Sequence, residues 1–329
     1  MLLLPKKIKV PKKSAGERLD VFLSKKLKIS RSQAQKMIGL EQVLVNKKLP
    51  KKTGDNLNAG SVITVIPTPK EESLSVLGKI PRRFGSLGMT PTIIAETPDY
   101  IVVDKPTGML THPTMAGEKN TLTNFITKKY PEVKKVGDPS TTKGTGQVNL
   151  RPGIVHRLDR EVSGLMVIAR TQKMFNHLKE QFKNRTIEKE YLALAHEPMA
   201  RNWDEINFPI SRSETSDRMA AIPTGEASRG KEAKSEFTVE KNFINFSLIR
   251  VKTHTGRMHQ IRVHLLAYNH PLVGDPLYWQ KKQKRTWDEK LGRLFLHSTN
   301  LGFVDLAGET QGFESPLPQE LSDFLKLLK

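Results

Sequence analysis

The segment HRLDRE (156–161) sets Asp159 between Arg157 and Arg160, inside apolar flanks that read as buried strands. Opposite charges nearby favour the ionised form of a carboxyl group. An anionic carboxylate can attack carbon or stabilise positive charge developing at a sugar centre. A structural Arg–Asp pair pinning a strand turn uses the same residues, so spacing alone leaves both readings open. A second cluster, HTGRMHQIRVH (254–264), collects three histidines and two arginines. His254, His259 and His264 recur every five residues, which puts successive side chains on different helix faces, unlike a metal-ligating pair four apart.

Other chemistries are excluded one by one. The chain contains no cysteine, so disulfides, thiolate metal sites and cysteine nucleophiles are ruled out. No HExxH spacing occurs, and no metal site is expected. There is no Walker-type phosphate loop, and the GTG at 144–146 lacks a dinucleotide-binding context. A nucleophile elbow for a serine triad is missing as well. ATPase, dehydrogenase and serine hydrolase readings therefore have no support, and Asp159 is left as the residue around which chemistry can be built.

Charge identifies the partner class. The 329 residues hold 54 Lys and Arg against 34 Asp and Glu, a formal net charge of +20. Residues 1–66 alone hold 15 basic and 4 acidic residues, so more than half of the excess sits in one fifth of the chain. A field concentrated this way attracts a polyanion through phosphate contacts and counterion release. Nucleic acid is the expected partner. No apolar run approaches the 18 residues of a spanning helix, and Pro5 with its flanking lysines interrupts the opening leucines. No membrane is expected, and a cysteine-free chain fits a cytoplasmic location.

The elements that position these residues follow from periodicity. Residues 1–13 read as a basic tail. Residues 14–66 read as a compact basic module: Leu19, Phe22, Leu23 and Leu27 mark one helix, and Ser30 with Gln33 forms a capping box opening a second over Ala34, Met37 and Ile38. Strands are expected at 43–48 and 61–66. Residues 67–92, with four prolines and three glycines, read as a linker. The rest, 93–329, reads as one mixed, largely antiparallel α+β domain, because strands and helices do not alternate strictly. Within it, residues 165–169 form a buried strand. Thr171 caps a helix, Ile187, Lys189, Tyr191 and Ala193 alternate in a strand, and a helix runs from His259 to Tyr268. The stretch 134–149, rich in Gly, Thr and Lys, reads as an exposed loop.

Two resemblances sharpen this. ERLDVFLSKKLKISRSQAQKMIGLEQVLVNKK, with the likeness covering 17–66, resembles the S4 RNA-binding domain, which makes Arg31, Lys36, Lys47 and Lys48 candidate RNA contacts. HRLDREVSGLMVIART resembles the signature of the RluA-type pseudouridine synthases. So do VVDKPTGMLTHP (102–113), KEYLALAHE (189–197), HTGRMHQIRVHLLAYNHPLVGDPLY (254–278), and the closing LFLHSTNLGF and FESPLPQEL, all in the family's order over 93–321. The resemblance implies the pseudouridine synthase fold and an isomerase without cofactor that acts on RNA. Large-subunit ribosomal RNA is the implied substrate class, with tRNA the alternative, and a monomer is the implied state. It places Asp159 on the catalytic aspartate, Tyr191 on the tyrosine that stacks on the target uracil, and Arg262 on the basic partner of the aspartate. Arg157 falls on the arginine implicated in base flipping, with Arg257 and His259 as further RNA-binding candidates. The chain departs from the family pattern at Val162 and Met258, where threonine is usual, which is expected to alter fit or rate. These departures raise one alternative, a non-catalytic RNA-binding or ribosome-assembly factor on the same fold.

Overall fold

The computed structural model describes residues 6–27, 29–39, 43–46, 49–50, 52–65, 90–114, 117–138, 151–213, 218–222, 230–280 and 285–329. The chain divides into two units, Met1–Ile80 and Pro81–Lys329. The expected linker and the expected loop at 134–149 lie largely outside the described residues.

In the first unit, strand β1 (Lys6–Lys9) precedes helices α1 (Leu19–Leu27) and α2 (Arg31–Gly39) and strands β2 (Val43–Val45) and β3 (Val62–Val65). The strands form an antiparallel sheet in the order β1-β3-β2. The apolar stripes of both helices cover it: Leu19, Phe22, Leu23, Ala34 and Ile38 pack with Val43, Leu57 and Ile63. The capping box forms as the sequence implies. The Ser30 hydroxyl accepts from the Gln33 N–H at 3.1 Å, and the Gln33 amide oxygen accepts from the Ser30 N–H at 2.8 Å. Residues 6–13 differ from the expected basic tail, because Lys6–Lys9 pairs along β3 and a 3-10 turn follows at Lys12–Ser14. Ile8 and Val10, two residues apart, pack into the core of this unit, and lysines suit an exposed edge strand.

Among the described residues the second unit is built on a nine-stranded sheet. Its strands are β4 (Thr92–Glu96), β5 (Tyr100–Lys105), β6 (Ser163–Ala169), β7 (Glu188–His196), β8 (Trp203–Ile206), β11 (Ser235–Asn242), β12 (Phe246–Thr253), β13 (Leu296–Val304) and β14 (Thr310–Glu314). A small hairpin, β9 (Ile210–Arg212) and β10 (Met219–Ala221), stands apart from it. The order is β4-β5-β6-β13-β7-β12-β11-β8, with β14 also pairing β13. Every pairing is antiparallel except β6 with β13. There the backbones run so close that a Cβ on Gly164 would lie 2.3 Å from the Ser298 carbonyl oxygen. Only glycine fits.

Helices α3 (Leu122–Lys129), α4 (Gln172–Asn184), α5 (Gln260–Ala267), α6 (Thr286–Leu291) and α7 (Gln319–Lys326) flank the sheet. All seven residues of β6 are buried, which marks a strand covered on both faces. Met166 and Ile168 enter one core with Ile261 and Leu265 of α5. Leu165 and Val167 enter another with Met174, Phe175 and Leu178 of α4. Helix α4 opens as expected, its Thr171 hydroxyl accepting from the Met174 N–H at 3.2 Å. The sheet thus fixes three platforms side by side: the segment entering β6, the middle of β7, and the start of α5.

Candidate active site

Asp159 lies in the turn that feeds β6, where the Val162 N–H donates to its carbonyl at 3.2 Å. The loop after β5 pins this turn. The Thr111 hydroxyl donates to the Leu158 carbonyl at 2.9 Å, the Thr107 hydroxyl to the Glu161 carbonyl at 2.8 Å, and the Gly108 N–H to the Arg160 carbonyl at 2.7 Å. Inside that loop Lys105 is fully buried, and its amine donates to the carbonyls of Pro106 and Met109 at 3.0 and 2.9 Å. The DKPTGMLTHP segment is therefore a cradle for the HRLD turn.

The arginines beside Asp159 in sequence are not its partners. Arg160 reaches Glu118 at 4.0 Å, and Arg157 is exposed with no ion pair or hydrogen bond among the described residues. The charge facing Asp159 comes from α5, 103 positions along the chain. Arg262, 1% exposed, directs Nη1 to Asp159 Oδ2 at 3.2 Å and to Glu161 Oε2 at 3.4 Å. Its Nε and Nη2 grip the buried Asp275 at 2.7 and 2.8 Å. Burial disfavours the guanidinium charge, but Asp275, Asp159 and Glu161 together outweigh it and hold its pKa above the ordinary arginine value. The remaining capacity of the Asp275 carboxylate is filled by the N–H groups of Leu277 and Tyr278 at 2.8 and 3.0 Å. Gly274 permits this turn at φ +76, where a Cβ would strike the Arg293 carbonyl.

Asp159, Tyr191, Arg262, Arg157, Arg257 and His259 all line one cavity of about 670 Å³, a volume suited to a nucleotide-sized ligand. Tyr191 projects from β7 between Val251 of β12 and Ser298 of β13. Burial first, and then the Asp159 charge, push its phenol up to about 12, so it is a neutral ring with a proton to donate. Lys189, two residues earlier on the same face, is pulled down to about 8 by burial and lies 5.4 Å over the Phe182 ring. His156 stacks on the same Phe182 ring at 4.9 Å, and its Nε2 accepts the Val167 N–H at 3.0 Å. Burial and the Lys189 charge push it down to about 3, so the histidine of HRLD is a neutral structural acceptor.

His259 caps α5 with a left-handed backbone and places Nε2 3.8 Å from Asp159 Oδ2. Arg257 donates from Nε to the Glu232 carbonyl at 2.8 Å. Met258 presents an apolar side chain, 37% exposed, at the cavity edge, while Val162 is buried in the core beside it. Among the described residues no group of three His, Cys, Asp or Glu side chains could hold a metal ion. No helix of the described residues is long and apolar enough to cross a membrane.

In the first unit Arg31 donates from Nε to Asp20 Oδ2 at 2.9 Å while leaving 53% of its side chain exposed. Arg18 grips the same carboxylate at 3.1 Å, and Gln35 adds a third donor at 2.7 Å. Arg18 above all, against the cost of burial, holds the Asp20 carboxyl well below the usual carboxylate range. Sequence reading singled out Arg31 and missed Arg18, whose only signal was its place in RLD. Lys47 and Lys48 lie outside the described residues, and Lys36 lies on α2. Asp275 and Glu161 were missed too; their signals were an acid in VGDPLY and an acid two residues after Asp159.

Comparison with known proteins settles the family. The RNA pseudouridylate synthase family model matches residues 99–267, and the S4 domain model matches residues 17–63. The chain belongs to the RNA pseudouridylate synthase family. It is an RNA pseudouridine synthase, an isomerase, with an S4 domain ahead of the catalytic one. The ribosomal large subunit pseudouridine synthase D of Neisseria meningitidis serogroup B is 34% identical over 97% of this chain and 81% of its own length. An uncharacterized RNA pseudouridine synthase of Bacillus subtilis is 34% identical over 95% of each chain. The solved structure of human RNA pseudouridylate synthase domain containing 1 has a TM-score of 0.55 at 23% identity, covering 70% of this chain and 84% of that one. This last likeness concerns the fold alone.

Proposed function

We propose that this pseudouridine synthase acts on uridines of large-subunit ribosomal RNA, with Asp159 as the reacting carboxylate. The observation that carries the chemistry is the Asp159–Arg262 contact at 3.2 Å, set in the same cavity as Tyr191. Uridine and pseudouridine are isomers. The N1–C1′ bond breaks, a C5–C1′ bond forms, a proton leaves C5 and one is gained at N1, so no external oxidant, metal or nucleotide is required. The Asp159 carboxylate serves either by attack on the sugar or by removal of a ribose proton. Both routes need the detached base shielded from water.

A uridine within structured RNA must leave its stack to reach this cavity, at a cost of a few kcal/mol. Tyr191 offers a neutral ring to replace the lost stacking, and Arg157, exposed at the rim, offers a cation to hold the gap. Arg257 and His259 are assigned to the RNA around the target. Arg31, Lys36, Lys47 and Lys48 are assigned to phosphates bound by the S4 domain, in keeping with the concentrated positive charge of that segment. Ribosomal RNA is favoured over tRNA by the likeness to the ribosomal large subunit pseudouridine synthase D of Neisseria meningitidis and by the S4 domain. On this reading the enzyme works in the cytoplasm as a monomer. Chemical mapping of pseudouridine in large-subunit ribosomal RNA from wild-type and deletion cells tests it. One or more sites vanishing on deletion is expected; an unchanged ribosomal map with a lost tRNA site would overturn the substrate assignment.

A further inference from the structure

Tyr278 has no role in the reading above, yet it touches both groups that face Asp159. It follows Asp275 by three residues and is 3% exposed. Its ring centroid lies 5.1 Å from the Arg262 guanidinium carbon, and its ring meets that of His259 edge-on at 5.5 Å. Its hydroxyl accepts the Met219 backbone N–H at 3.0 Å and stands 2.7 Å from His259 Nδ1.

These contacts decide where the imidazole proton sits. A phenol has one proton, and a backbone N–H can only donate. If His259 Nδ1 were a second donor, the buried hydroxyl would accept twice and leave its own proton without an acceptor among the described residues, an arrangement folded proteins avoid. The opposite arrangement satisfies every group: Met219 N–H donates to Tyr278, Tyr278 O–H donates to His259 Nδ1, and the imidazole proton is on Nε2. The far side of the ring agrees, because Nε2 faces a carboxylate oxygen at 3.8 Å and an ionised carboxylate only accepts.

We infer that Tyr278 is a positioning residue that fixes His259 as its Nε2–H tautomer, so that His259 and Arg262 present two donors to Asp159 Oδ2. This rests on Asp159 being the reacting carboxylate. The left-handed backbone at His259, φ 58 and ψ 22, is uncommon for a residue with a side chain and aims the ring at Asp159. At 3.8 Å the contact is longer than a hydrogen bond, and on this assignment it shortens in the complex with RNA, as catalytic hydrogen bonds commonly do when substrate binds. Burial holds the imidazole below the ordinary histidine value. Asp159 works against that, Arg262 adds to it, and Glu161 and Asp275 oppose it. A neutral donor results.

The test is nitrogen-15 NMR of the full chain with labelled histidine, His259 being assigned by the signal lost in His259→Gln. At neutral pH the wild type should show an unprotonated Nδ1 and a protonated Nε2. In Tyr278→Phe the two nitrogens should move toward averaged positions as tautomers mix, and kcat should fall about tenfold with KM changed less than about twofold. A protonated Nδ1 or an imidazolium in the wild type overturns the inference, as does an unchanged tautomer in Tyr278→Phe. The tautomer is read without turnover, so these failures are distinct from a failure of the Asp159 assignment, which would appear as activity in Asp159→Asn.

Discussion

Arg262 holds Asp159 with one arm and Asp275 with two. Nη1 lies 3.2 Å from Asp159 Oδ2, while Nε and Nη2 are bound to Asp275 at 2.7 and 2.8 Å. The buried Asp275 therefore fixes the plane of the guanidinium, and the plane fixes where a positive charge meets Asp159. Lysine cannot reproduce this, because an ammonium has no fork with which to grip one carboxylate while reaching another.

Arg262→Lys is accordingly expected to lower kcat by roughly 100-fold, the scale of losing one preorganised donor, while RNA affinity changes little. Single-turnover rates and filter binding on the same RNA separate the two effects. Equal losses in both would mean that Arg262 serves binding instead.

Tyr191→Ala removes a stacking surface, and an alanine in place of a stacked aromatic costs about 1–3 kcal/mol per base. Affinity for substrate RNA should fall accordingly in Tyr191→Ala and stay near wild type in Tyr191→Phe, which keeps the ring. Equal affinities in all three proteins would show that no base rests on this side chain.

Lys105 predicts a pH dependence of stability. Burial pulls its ammonium down to about 7 in the folded chain, against a weaker opposing pull from Asp159. An unfolded lysine keeps its proton to about pH 10.4. Between those values the unfolded chain binds more protons, so this residue makes the fold more stable as pH rises from about 7 to about 10. The neutral amine still has two N–H groups for the carbonyls of Pro106 and Met109. Comparing thermal unfolding of wild type and Lys105→Met across that window should show the rise in the first and its loss in the second; the same rise in both would contradict it.

Arg31 and Arg18 predict a salt dependence. Each phosphate contact contributes roughly 0.7–0.9 to the slope of log affinity against log salt. Arg31→Ala should reduce the slope by about that much. Asp20→Asn keeps both cations but loosens them, so affinity should drop with the slope nearly intact. A slope unchanged in Arg31→Ala would remove Arg31 from the RNA surface.

The legible parts of the molecule were local ones. Lys189, Tyr191 and Ala193 alternate along β7, the Ser30–Gln33 box opens α2, and α5 spans Gln260–Ala267 close to its expected limits. Each is specified within a few residues. What stayed hidden was set by long-range pairing. Arg157 and Arg160 adjoin Asp159 in sequence, but the turn leaves Arg157 at the rim and sends Arg160 to Glu118. The partner that reaches Asp159 is Arg262 on α5, to which the family resemblance pointed and periodicity did not, and the acid that orients it, 13 residues further on, went unread. No periodicity announces such a chain of contacts. β1 was hidden differently: its lysines masked the inward pair Ile8 and Val10.

The most direct measurement is pseudouridine formation by purified wild type and Asp159→Asn on the same large-subunit ribosomal RNA, read by chemical mapping beside RNA binding. Asn has nearly the shape of Asp without its charge. Wild type should form pseudouridine at defined sites, and Asp159→Asn should form none while binding the RNA nearly as well. Full conversion by Asp159→Asn would contradict the role given to Asp159.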